Sequence, residues 1–201
     1  MQIHGAHGYL VSQFLTPRTN LRSDTWGGDS ERRLAFLLAV AAEIRRQVGS
    51  DYPVWIKLGV AGAPPAELAL AEGALAAKAC NQAGIDCIEL SHALGIPPLE
   101  KVEPIFLPWA HAVRQIVGLD VTLALVNGFR HVQVMESVLA SGVVQLVSLC
   151  RPLIANPSLP HRLKRQLETK AVCNRCDKCW PLVPGEGVAC HNEGVLERLH
   201  D

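Results

Sequence analysis

Residues 1–15 read Met1-Gln2-Ile3-His4-Gly5-Ala6-His7-Gly8-Tyr9-Leu10-Val11-Ser12-Gln13-Phe14-Leu15, and the fold of the whole chain is decided by how this stretch is read. A strand-like start runs directly into two histidines and a tyrosine within six residues, His4 to Tyr9. Polar chemistry packed behind a strand is the pattern of a barrel strand end. Two imidazoles and a phenol can hold a carbonyl oxygen and deliver a proton beside it. His4 and His7 also have a spacing that can ligate zinc, although no acidic third ligand stands nearby.

Working outward, apolar strand-like runs alternate with longer helical patterns, in units of about 30–40 residues, as βα units do. Strands are predicted at 2–4, 53–58, 87–90, 122–126 and 145–149, and helices at 65–83, 105–117, 131–141 and 158–168. Leu34, Leu37, Leu38, Ala41, Ile44 and Val48 follow helical spacing as well; Asp29 or Ser30 can cap that helix and Gly49 can stop it. The strand runs barely alternate, which suits parallel strands buried on both faces. The fold class is therefore α/β.

The chain has 201 residues, 49% hydrophobic and 19% charged, and is formally neutral. No basic stripe is present, so nucleic acid is not an expected partner. Neither a run of about 18 apolar residues nor a basic region leading into an apolar stretch occurs. A membrane is thus not expected either, and a cytoplasmic location is. Of seven cysteines, four cluster as Cys173-Asn174-Arg175-Cys176-Asp177-Lys178-Cys179 and, after ten more residues, Cys190. Four thiolates so spaced can surround one iron–sulfur cluster or a zinc ion, which favours a reducing compartment. Cys80 and Cys87 read as small core residues. His92, His111, His131, His161, His191 and His200 have no partner spacing that points to a site.

Two further features carry chemistry. Lys57 lies near the end of Val54-Trp55-Ile56-Lys57-Leu58, where a cation is costly unless it is paired or snorkels to water. The stretches Ala124-Leu125-Val126-Asn127-Gly128-Phe129 and Val147-Ser148-Leu149-Cys150-Arg151-Pro152-Leu153-Ile154-Ala155-Asn156-Pro157 follow the last two strands, where barrels often bind phosphate.

Taken together these blocks resemble the old yellow enzyme family, the FMN-dependent ene-reductases that include 2,4-dienoyl-CoA reductase. The opening block resembles the fourth strand and following loop of that family. Leu15-Thr16-Pro17 and Thr19-Asn20-Leu21-Arg22-Ser23-Asp24-Thr25-Trp26-Gly27-Gly28, ending in Glu31-Arg32-Arg33, look like the loop that leads into the fourth helix. The plainer alternative makes Gly27-Gly28 a turn and places Arg32 and Arg33 on a solvated helix face. The resemblance implies a partial (β/α)8 TIM barrel, about strands 4 to 8, because five strands fall short of the eight that close such a barrel. Residues 1–168 would form that part and 169–201 a cysteine-rich tail. Met1 stands where the family commonly has a valine, which leads to the expectation of an internal codon read as the start, or of a truncated gene.

The function implied is an NAD(P)H-dependent oxidoreductase that reduces activated C=C bonds such as those of enones or dienoyl thioesters. NAD(P)H would reduce FMN, and hydride would then pass to the β-carbon of the alkene while Tyr9 protonates the α-carbon. His4 and His7 would hold the substrate carbonyl, and Lys57 would face the flavin N1/O2 edge. Arg151 would hold the FMN phosphate, with Asn127, Gly128 and Cys150 around it. Asn127 and Cys150 replace the family's usual glycines; asparagine accepts a positive φ readily and cysteine poorly. Cys173, Cys176, Cys179 and Cys190 resemble a [4Fe–4S] site whose last two gaps are shorter than usual, with zinc as the alternative. In cluster-bearing relatives the metal centre relays electrons to a FAD domain lying beyond the point where this sequence stops. Two other readings stay open: a catalytically inactive half-barrel that associates with a partner or itself, and a small metal-binding protein.

Overall fold

The computed structural model describes residues 1–63, 68–95, 102–181, 185 and 187–200. Five strands form one sheet: β1 (Gln2–Gly5), β2 (Trp55–Ala61), β3 (Cys87–His92), β4 (Leu123–Val126) and β5 (Leu146–Ser148). They lie side by side in sequence order, and every neighbouring pair is parallel. Parallel neighbours require crossover connections, and helices supply them. These are α1 (Leu10–Leu15) and α2 (Ser30–Val48), then α3 (Leu70–Gln82), α4 (Leu107–Val117) and α5 (Val132–Ala140). After β5 come three short helices, α6 (Arg151–Ala155), α7 (Leu159–Lys164) and α8 (Glu193–His200).

Register sorts the side chains by face. Ile3, Ile56, Ile88 and Leu123 stand level across four strands, as do Leu58, Leu90 and Leu125 across three. Their burial against Leu37 and Ala41 of α2, Ala74 and Ala77 of α3, and Val113 of α4 makes the core. Fully burying one such side chain stabilises the fold by about 1.5–3 kcal/mol. Gly73 lets α3 sit on the sheet, since a Cβ there would fall 1.9 Å from the Val60 carbonyl oxygen. On the opposite face His4, Lys57 and Glu89 are level with one another. The expected burial on both faces holds for β3 and β4, whereas β1 and β5 are partly open because each is an edge.

Asp29 is the cap of α2, accepting from Arg32 N at 2.9 Å, and Gly49 (φ +80°) ends the helix. Arg33 is buried and joins three segments. It donates to the carbonyls of Leu15 (3.1 Å) and Gly28 (2.6 Å) and pairs with Glu72 at 2.9 Å. The plainer reading of the loop therefore holds for Arg32, which is half-exposed beside Asp29, and fails for Arg33. The helix expected over 158–168 is shorter, because Gln166 adopts a left-handed φ of +57° and Leu167 N bonds back to the Arg162 carbonyl, which closes it. The helix expected over 65–83 is seen from Leu70, its first residues lying partly outside the described ones.

Candidate active site

The carboxyl ends of the strands converge on a cavity of about 570 Å³, inside the ~300–1,000 Å³ range of small-molecule pockets. His7 and Tyr9 after β1, Lys57 on β2, Asn127 and Gly128 after β4, and Cys150 and Arg151 after β5 all line it. A hollow of similar size outside α2, lined by Phe14, Trp26 and Phe36, contains none of these residues.

The opening block folds as a tight corner. His7 and Gly8 take left-handed φ values of +60° and +74°, and His7 N donates to the His92 carbonyl at 3.0 Å. A histidine held there is the kind of backbone strain that gathers at functional sites. His7 Nε2 lies 2.9 Å from Ser91 Oγ, and its ring stacks on that of His92 with centroids 4.4 Å apart. His4 packs beside the corner, 5.1 Å from the His7 ring and 5.2 Å from that of Tyr9, without itself lining the cavity. Burial, then the charges on His92 and Lys57, push the His7 imidazolium down to about 4. Burial followed by Lys57 lowers His4 as well, and burial lowers His92. The imidazoles are thus neutral at neutral pH, able to donate a hydrogen bond without a full charge.

Lys57 is paired rather than snorkelling: its Nζ donates to Glu89 Oε1 at 3.0 Å, and Gln2 Nε2 donates to Glu89 Oε2 at 2.7 Å. Three strand spacings, about 14 Å, separate the β2 and β5 strands that carry Lys57 and lead to Arg151. At the Arg151 side, Asn127 (φ +83°) and Gly128 (φ +93°) are consecutive left-handed residues. Arg151 Nη2 donates to Asn127 Oδ1 at 3.2 Å, and Nη1 pairs closely with Asp177. Asn127 thus takes the conformation foreseen for glycine. Cys150 does not need it, since its φ is −119°.

These residues fit FMN by their chemistry. A cation stands on one wall, a guanidinium beside left-handed backbone on the other, and apolar Phe106, Val126, Phe129 and Leu149 lie between. Ser91, His92, Glu89 and Phe106 were missed in the sequence. The signal for His92 was its place at the end of the run Cys87-Ile88-Glu89-Leu90-Ser91-His92.

The cysteine tail is less complete. Cys173 is buried with Ala155 and Val195, Cys190 packs at the border of that cluster, and Cys179 lines the cavity. Cys176 is exposed, its Sγ accepting from Asn192 Nδ2 at 3.1 Å. Among the described residues, no three His, Cys, Asp or Glu side chains are gathered closely enough to hold a metal ion. That applies to the four cysteines and to a zinc site at His4 and His7. No helix among the described residues is long and apolar enough to cross a membrane.

Parallel strands joined by helices, with a polar-lined cavity beside them, define an α/β barrel-type segment with a small-molecule site. Residues 1–170 match the model of the NADH:flavin oxidoreductase / NADH oxidase family, and the chain belongs to that family. It is 32% identical over 187 residues to an NADH oxidase of Thermoanaerobacter brockii, covering 89% of this chain and 28% of that protein. An NADH-dependent flavin oxidoreductase of Hypocrea jecorina is 33% identical over 184 residues, covering 85% and 45%. Among solved structures, a 2-naphthoyl-CoA reductase complex superposes with a TM-score of 0.77 at 27% identity, covering 85% of this chain and 27% of that one. The chain thus spans between about a quarter and a half of these relatives.

Proposed function

We propose that this chain provides the phosphate-holding and substrate-protonating part of an NAD(P)H-dependent, FMN-containing ene-reductase acting on enones or dienoyl thioesters. The observation that carries this reading is that His7 and Tyr9, with His4 packed behind them, stand at the cavity that Lys57 and Arg151 also border. FMN, when bound, supplies the hydride chemistry of the reaction.

The chain's own residues would do the rest. The neutral imidazoles of His4 and His7 hold the carbonyl oxygen of the substrate and draw charge toward it as it develops. Ser91 and the stacked His92 keep the His7 ring in place. Tyr9, 61% exposed at the cavity mouth, hands its phenolic proton to the α-carbon and recovers one from water. Lys57, oriented by Glu89, supplies positive charge at the wall where the reduced ring would carry negative charge. Arg151 and the Asn127-Gly128 backbone take the phosphate.

Residues 1–168 act as the barrel part in this reading, and 169–201 as a tail that closes its four cysteines around a [4Fe–4S] cluster or zinc on loading. The described thiols do not form a ready ligand set, so no electron-transfer step is assigned to them. All seven cysteines are free thiols, in keeping with a cytoplasmic setting. A second reading, a half-barrel that associates with other strands, is favoured by β1 and β5 each having one unpaired side. Closing a barrel of this type takes eight strands.

A visible spectrum of the purified protein, followed by titration with FMN, tests the proposal. Weak but measurable FMN binding with slow enone turnover is expected, because further ring contacts would lie on strands other than these five. A colourless protein that binds no flavin would overturn it.

A further inference from the structure

The tail brings more than thiols to the cavity. Arg175 enters it beside Gly128, where a Cβ would stand 3.5 Å from Arg175 Nη1. That nitrogen is buried and has no hydrogen-bond partner among the described residues. A guanidinium N–H withdrawn from water without an acceptor is costly, so its position calls for an anion. Arg175 and Asp177 both hold left-handed φ values, +62° and +60°, a strained turn that places one cation and one carboxylate on the same rim. Asp177 already pairs with Arg151, while Arg151 also donates to Asn127. Two guanidiniums therefore flank the left-handed Asn127-Gly128 backbone, and a carboxylate occupies one of them.

We propose that Arg175 is a second anchor for the phosphate of the flavin, and that Asp177 holds Arg151 ready until that phosphate displaces it. The assignment rests on the FMN reading above. Arg151 has an anionic partner in both states, so the exchange leaves no unpaired cation behind. Asp177, whose side chain is 68% exposed, turns to water when displaced. A phosphomonoester carries about −1.5 to −2 charges near neutral pH and matches two planar forks better than one carboxylate does. Tail and flavin site are then linked, since whatever orders the turn at 175–177 also tunes phosphate affinity.

Riboflavin, which has the same ring and no phosphate, separates this assignment from the FMN reading. Binding of both flavins to the full chain is measured by fluorescence quenching. Arg175→Gln is expected to weaken FMN by about tenfold or more, the size of one charge-assisted hydrogen bond, with riboflavin unchanged. Asp177→Asn is expected to tighten FMN about threefold or more, again with riboflavin unchanged, because a competing charge is removed. If Arg175→Gln leaves the FMN-to-riboflavin ratio at the parent value while Arg151→Gln lowers it, the second anchor is wrong and the FMN reading stands. Equal weakening of both flavins by Arg175→Gln makes the residue structural and also overturns the assignment. Weaker FMN binding in Asp177→Asn overturns the displacement. A parent chain that binds neither flavin overturns the FMN reading and this assignment with it.

Discussion

The sheet and the cysteine tail both carry reactive side chains, yet only those of the sheet arrive assembled. His4, Lys57 and Glu89 stand level on three adjacent strands, fixed by the ladder that pairs β1 with β2 and β2 with β3. Cys173, Cys176, Cys179 and Cys190 sit on irregular backbone, one buried, one exposed and two between. A sheet positions its side chains through backbone hydrogen bonds whether or not a ligand is present, whereas a loop of thiols is shaped by the ion it wraps. The comparison therefore predicts that changes on the sheet act on chemistry or stability directly, and that changes in the tail act on the metal loading proposed for it.

The largest expected effect is on proton delivery. Tyr9→Phe, measured in a chimera that joins this chain to the part of the Thermoanaerobacter brockii relative preceding the matched region, should slow flavin reoxidation by an enone by ~10²–10⁴. Flavin reduction by NAD(P)H should change little, since in the proposed reaction the phenol is needed only when the alkene is protonated. Stopped-flow traces of the two half-reactions check this. Equal reoxidation rates in parent and variant would remove Tyr9 from the mechanism and dissolve one side of the comparison.

The next effect is on stability. Glu89→Leu leaves the Lys57 ammonium largely buried without its partner and removes the acceptor of Gln2, so a loss of about 3 kcal/mol in urea unfolding is expected. Adding Lys57→Met should recover most of it, because the unpaired charge is then gone. A double variant as unstable as the single one would show that Glu89 matters through packing instead.

A smaller effect follows from His7. Its imidazole takes a proton near 6.5 in an unfolded chain, but burial delays this to about 4 in the fold. The unfolded state therefore binds more protons between those values. The contribution of His7 to stability is complete above about 6.5, declines as pH falls toward about 4, and levels off below it. His7→Gln should flatten the fall in urea midpoint between about pH 7 and about pH 4.5. An unchanged slope would mean that other groups dominate acid unfolding and that His7 is more solvated than its stacking on His92 implies.

How far the sequence reaches can be judged from particular residues. The five strands and the His4, His7, Tyr9 cluster were legible because period and spacing are local properties. Lys57 stood out as a cation within an apolar strand, but its partner did not, since Glu89 is brought opposite it only by the register of β2 against β3. The ties of Arg33 to Leu15, Gly28 and Glu72 are equally non-local. At Cys150 the family pattern pointed to a glycine-like backbone, and the actual φ of −119° shows that the chain rounds that corner another way. Arg175 was hidden inside a motif read for its cysteines.

The smallest expected effect on the fold, and the sharpest test of the tail, is Cys176→Ser. Cys176 is exposed and bonded only through Asn192 among the described side chains, so the metal-free variant should keep the parent stability within about 0.5 kcal/mol. Metal content should behave differently. If Cys173, Cys176, Cys179 and Cys190 close around one ion or cluster, anaerobic reconstitution of the variant should yield less iron and sulfide, or less zinc, per chain than the parent, while Cys80→Ser loads normally. Cys80 is a fully buried residue of α3, and burial pushes its thiol up to about 12, so it is neither reachable nor ionised near neutral pH. Parent-level metal in Cys176→Ser would leave the tail without a four-thiolate site and the comparison without its second term. Strong zinc binding with no assembly of iron and sulfide in the parent would keep the site as a clamp on Arg175 and Asp177 and exclude it from electron relay, with the two shortened gaps, before Cys179 and before Cys190, as the physical cause.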